Sequence, residues 1–169
     1  MNGEFKRIII FGRPGSGKST FAHQLSLRTG TPLYHLDKFF FVSNWAERDT
    51  EEFMQIQMQI INSKTWIIDG NSLGSLELRW QAADLVLYFN FNKFICLYRL
   101  IKRLLIKSKH IDDRANNCPE KLRFKLIKYM WHFENRVQDK IKQYKKTYPT
   151  TPFVEITNSK QLKSLNNIK

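Results

Sequence analysis

Cysteine is scarce: Cys96 and Cys118 are the only two in 169 residues. A disulfide framework is excluded, and a reducing cytoplasm is the expected setting. Long apolar runs are missing too. The longest, Ile8 to Phe11 and Leu85 to Phe89, have the length of strands, so no membrane span and no membrane partner is expected. The opening residues lack the apolar stretch of a secretory signal. Glycine (7) and proline (5) are few and sit at apparent turns, which excludes a collagen-like chain and a flexible linker. No repeat and no low-complexity stretch is visible, so residues 1–169 read as one domain.

Acidic residues are short in one half only. Residues 1–92 balance 9 basic against 9 acidic side chains, and residues 93–169 carry 19 against 6. The whole net charge of +13 therefore lies in the second half, which implies an anionic partner. Nucleic acid, a nucleotide phosphate and a membrane surface all satisfy that charge on its own.

Short β-type runs alternate with longer helical patterns, which favours βαβ units and a parallel sheet. Strands are expected over Arg7 to Phe11, Thr31 to His35, Thr65 to Ile68, Asp84 to Phe89 and Phe153 to Ile156. Helices are expected over Lys18 to Thr29, after the N-cap candidate Asp49, over Lys93 to Lys107 and over Ser159 to Ile168. On the Lys93 helix, Leu97, Ile101 and Leu104 are expected to face inward. A long helix should open at Pro119 and run past Tyr144, because apolar residues recur every three or four positions. The polar stretch Ser108 to Cys118 between two helices is expected to form a lid.

Gly12-Arg13-Pro14-Gly15-Ser16-Gly17-Lys18-Ser19 fits G-x-x-x-x-G-K-[ST] at every fixed position, with Thr20 next. A chance match in a chain this long is on the order of one in a hundred from ordinary residue frequencies. The motif follows an apolar strand and opens a helix, as its chemistry requires. Glycines let successive N–H groups point at phosphate oxygens, and the helix start adds its positive end. Lys18 would reach the β- and γ-phosphates of ATP, and the Ser19 hydroxyl would ligate Mg²⁺.

Two acids close strands: Asp37 in His35-Leu36-Asp37, and Asp69 before Gly70. In an open α/β sheet the crevice lies at the carboxyl ends of the strands. There Asp69 would hold Mg²⁺ and Asp37 would take a proton from an acceptor. The bland alternatives are a turn acid for Asp69 and a helix N-cap for Asp37. His35 reads as a packed strand residue. Trp66, Trp80 and Trp131 read as packing, while Trp45 and Arg79 join Asp37 and Asp69 around the acceptor cleft. Arg99 and Arg103 lie one helical turn apart, and Arg114, Arg123 and Arg136 follow. Arginines on a closing lid stabilise the spread negative charge of phosphoryl transfer. A solvated helix face is their alternative reading.

With these residues in view, the chain resembles the adenylate-kinase-like P-loop kinases, and more narrowly the bacterial DNA topology modulation (FlaR-related) proteins. The residues that carry the likeness are Gly12 to Thr20, Tyr34 to Asp37, Trp66 to Asn71, Leu78-Arg79 before Ala83-Asp84, and Cys118 to Leu122. The resemblance implies a five-stranded parallel sheet of order 2-3-1-4-5 with a helical lid after the fourth strand. It implies that Asp69 organises the Mg²⁺ shell, that Arg99 stacks on adenine and that Arg103 meets phosphate. Adenylate kinases continue Asp-Gly with Phe-Pro-Arg, whose arginine grips AMP. Here Asn71-Ser72-Leu73 follows, and Arg79 is the candidate substitute at another spacing. The expected function is an ATP-dependent kinase acting on a small-molecule or nucleotide acceptor. Two alternatives stay open: a nucleotide-switched, DNA-binding topology modulator, and a simple NTPase.

Overall fold

The structure, a computed structural model, describes residues 5–42, 45–105 and 124–165. Five strands and eight helices are present among them: β1 (Arg7–Gly12), α1 (Lys18–Thr29), β2 (Leu33–His35), α2 (Leu36–Phe40), α3 (Thr50–Ile61), β3 (Trp66–Asp69), α4 (Leu76–Ala82), β4 (Leu85–Phe89), α5 (Lys93–Leu105), α6 (Phe124–Trp131), α7 (Phe133–Thr147), β5 (Phe153–Ile156) and α8 (Ser159–Ser164). All strand pairs are parallel, as the sequence pattern favours, and the order is β2-β3-β1-β4-β5, as the family resemblance implies.

The central strands are apolar on both faces because helices cover both. Alternation along each strand sorts the side chains into two cores. Ile8, Ile10, Ile67, Leu85, Leu87 and Phe89 meet Phe21, Leu25, Cys96, Leu100 and Met130 on one face. Ile9, Phe11, Trp66, Ile68, Val86 and Tyr88 meet Phe53, Trp80, Phe133, Val137 and Tyr144 on the other. The Asp49 carboxylate caps α3 by accepting from the N–H groups of Glu51 and Glu52. No helix among the described residues is long and apolar enough to cross a membrane.

Two expectations need correction. Of the expected inner face of α5, Leu97 packs partly buried against the core, but its centre is Cys96 and Leu100, both buried, while Ile101 is 40% exposed and the Leu104 side chain lies outside the described residues. The loop after β1 sets that rotation: a Cβ on Gly15 would lie 2.5 Å from the Cys96 carbonyl oxygen, so loop and helix touch through bare backbone. The expected long helix is interrupted at His132, between α6 and α7. Its apolar period continues across the break, but Arg13 donates from Nη1 to the Met130 carbonyl at 2.8 Å and to that of Trp131 at 3.4 Å. A side chain inserted into the carbonyl ladder ends one helix and restarts the next. The expected lid 108–118, with Arg114 and Arg123, lies outside the described residues, as do the start of the long helix at Pro119 and the last residues of the closing one.

Candidate functional site

The carboxyl ends of β1, β2 and β3 lie side by side. Register pairs Ile10 with Asp69 and His35 with Asp69. The loop Arg13 to Gly17 crosses just beyond them and turns into α1. Gly12, at φ +151, abuts the Phe89 carbonyl so closely that a Cβ would come within 2.3 Å. Its N–H donates to Asn71 Oδ1 at 2.9 Å, which ties the loop to the segment after β3. Arg13 folds back into the protein and is only 3% exposed. Besides the α6 carbonyls, it reaches Asn90 and Glu134 at 3.3 and 3.2 Å.

This anchoring leaves the inner rim of the loop open. Gly17 caps α1 in the left-handed conformation, with no side chain accepting from the first turn and no acidic residue in it. The Ser16 N–H bonds back to Arg13, but among the described residues no protein acceptor takes the N–H groups of Gly15, Gly17, Lys18 or Ser19. Donors concentrated at a helix start, with no acceptor among the described residues, form an anion cradle.

Lys18 stands beside it, its Nζ 3.9 Å from Asp69 Oδ1. The Asp69 carboxyl is 4% exposed, and its Oδ2 lies 2.8 Å from His35 Nδ1. Burial by itself would raise its pKa. Lys18, His35 and the neighbouring Ser19 hydroxyl together outweigh burial and hold it below the ordinary carboxylate value. Among the described residues, Asp69 Oδ1 has no hydrogen-bond partner. A buried, ionised oxygen without a donor, next to a serine hydroxyl and an anion cradle, suits a hard divalent cation such as Mg²⁺. Ser19 and Asp69 are the two residues present that fit such an ion.

Arg99 closes the other side. It donates to the Ser16 carbonyl at 3.0 Å, and its guanidinium lies 5.0 Å over the Phe91 ring. Arg103 follows one turn along α5 and is half-buried. Pro14 lies within the loop, and Thr20 is exposed in the first turn of α1.

The residues expected around an acceptor are placed less uniformly. Asp37 is exposed in the first turn of α2, with His35 as that helix's N-cap. The Tyr129 phenol has its pKa pushed up to about 12 by burial, which outweighs the lowering pull of Arg136, with a smaller rise from the charge of Asp37. Arg136 stacks over the same ring at 5.1 Å. Trp45, at φ +62, packs edge-on against Phe41, with ring centroids 5.0 Å apart. Arg79 is fully buried in α4. Its guanidinium donates to the main-chain carbonyls of Gly70, Ser72 and Ser75, so it holds the segment after β3 rather than opening into the cleft. Burial lowers its pKa to about 9, against the opposing pull of Asp69.

Sequence reasoning took His35 for a packing residue and Arg13 for one of the phosphate-binding loop residues, and it gave Asn71 and Tyr129 no role in the site. Only the adjacency of β2 and β3 distinguishes His35 from a packing residue. Nothing in a loop motif shows that its second residue turns inward.

Neither a family model nor a curated protein matches the chain. Among solved structures, the shikimate kinase of Bacteroides thetaiotaomicron is similar over 95% of this chain and 93% of that one, with a TM-score of 0.52 and 14% identity. The shared feature is the fold, in this chain a five-stranded parallel sheet of order 2-3-1-4-5 flanked by helices.

Proposed function

We propose that this chain is a phosphotransferase that binds Mg·ATP on Gly12 to Thr20 and passes the terminal phosphoryl group to a small-molecule or nucleotide acceptor. One observation carries the reading: main-chain N–H groups with no acceptor among the described residues lie beside Lys18, which faces a buried, ionised Asp69. The likeness in fold to a solved kinase supports it. Mg²⁺, held by Ser19 and Asp69, would offset charge on the phosphates. Lys18 and the loop amides position those phosphates, and Arg99 and Arg103 bring positive charge over the loop. Asp37, exposed at the start of α2, would take a proton from an incoming hydroxyl.

The first test is calorimetric titration of Mg·ATP into the parent and Lys18→Ala. The variant should bind at least tenfold more weakly, and equal affinity would reject the site. Incubation with γ-labelled ATP and small-molecule pools then separates the activities. Label in an organic product is expected. Release of inorganic phosphate alone would favour a simple NTPase.

A second reading draws on the uneven charge. Arg136, Lys142, Lys145 and Lys146 all stand exposed on α7, and the excess of 13 positive charges falls within residues 93–169. Such a face suits nucleic acid. Duplex binding by anisotropy at low salt, falling steeply as salt rises, would support it, and no binding at low salt would remove it.

A further inference from the structure

We propose that His35 is a positioning residue of the phosphate site: it holds one oxygen of Asp69 so that the other stays available beside Lys18. The inference rests on the nucleotide reading above.

His35 ends β2 and Asp69 ends β3, paired in parallel register, so both side chains leave the sheet at the same level. They meet at 2.8 Å, with 6% and 4% of their surfaces exposed. An ionised carboxylate only accepts hydrogen bonds, so the proton in this contact sits on His35 Nδ1. The side chain of an N-cap residue usually turns toward its own helix, but His35 makes no such bond to α2. Its donor is committed to Asp69 instead.

The distances on the two sides of the carboxylate differ in kind. Oδ2 has a short hydrogen bond, whereas Oδ1 has none among the described residues and stands 3.9 Å from the Lys18 ammonium. A buried carboxylate free to rotate about χ2 would close that gap and form a direct ion pair, because a charge-assisted contact near 2.8 Å is stronger than a separated one. The closed pair would engage the ammonium that phosphates need and the oxygen that a divalent cation needs. By pinning Oδ2, His35 keeps the pair apart. Removing such an outer partner of a metal-binding group typically weakens metal affinity by roughly 10–100-fold.

The test compares the parent, His35→Asn, His35→Leu and Lys18→Ala by calorimetric titration with ATP, in Mg²⁺ and in EDTA. Asn keeps a donor near the place of Nδ1, and Leu keeps bulk without a donor. His35→Leu should lose roughly 10–100-fold of the affinity that Mg²⁺ adds, while His35→Asn stays within about threefold of the parent. An unchanged Mg²⁺ effect in His35→Leu would overturn the role, as would equal loss in Leu and Asn. A second measurement needs no variant to fold. In ¹⁵N-histidine-labelled parent protein, an exchange-protected imidazole Nδ1–H signal should appear and shift when Mg²⁺ and ATP are added; its absence or indifference would also overturn the role. If Lys18→Ala binds ATP as the parent does, the nucleotide reading itself fails and takes this inference with it.

Discussion

A carboxylate as deeply buried as that of Asp69 is costly unless its charge is met. Here Lys18 and His35 meet it, and the folded group binds a proton less readily than the unfolded one, whose ordinary value is 3.8. Its contribution to stability is therefore complete above that value and is lost as pH falls through the lower, folded one. Thermal unfolding below pH 3.8 should show the parent losing stability faster than Asp69→Asn. Parallel decline of the two would mean that the carboxylate is not tied to its neighbours. Arg79 presents the opposite sign. Its buried donors satisfy three carbonyls of one loop, so Arg79→Met should cost about 2–4 kcal/mol, since each unpaired buried group costs about 1–3 kcal/mol. Urea unfolding reads this directly, and a neutral result would place the guanidinium in solvent. Lys18, Ser19 and Asp69 could be singled out beforehand because a contiguous motif and a strand end announce them. His35 could not, because its meaning depends on which strand lies next to it.

Among the elements, the α6–α7 break is the most informative. Periodicity alone calls for one helix, since Met130, Phe133 and Val137 all reach the core. At the interruption Arg13, more than a hundred positions away in the chain, takes the carbonyls of Met130 and Trp131, while the helical bonds from the His132 N–H to Lys128 and from the Arg136 N–H to His132 persist. Arg13→Met should lower stability by about 1–3 kcal/mol through those carbonyls. Its ion pair with Glu134 adds little, because the glutamate is 55% exposed. A change under about 0.5 kcal/mol, the usual range of surface substitutions, would assign the break to another cause. The rotation of α5 has a similar origin. Local pattern allows several faces to turn inward, and contact with the Gly15 backbone selects Cys96 and Leu100.

At the scale of the whole molecule, ligand binding at the mouth of the sheet should be felt as global stability. If Mg·ATP binds the folded chain alone, a hundredfold excess over Kd adds about 2.7 kcal/mol. That corresponds to a rise of roughly 5–10 °C in Tm for a chain of this size. Lys18→Ala should remove most of the rise, and an equal rise in both proteins would locate the ligand elsewhere. The strands themselves, the loop between β1 and α1 and the acids that follow strands were legible in the linear chain, whereas the order of the strands was implied only by the family resemblance. Hydrophobic alternation, turn residues and a phosphate-loop motif all act over a few neighbouring positions. The pairing of His35 with Asp69, the inward turn of Arg13 and the burial of Arg79 were decided only by tertiary structure. Each depends on backbone brought from a distant part of the chain, and burial then leaves a charged group no partner except those the fold supplies.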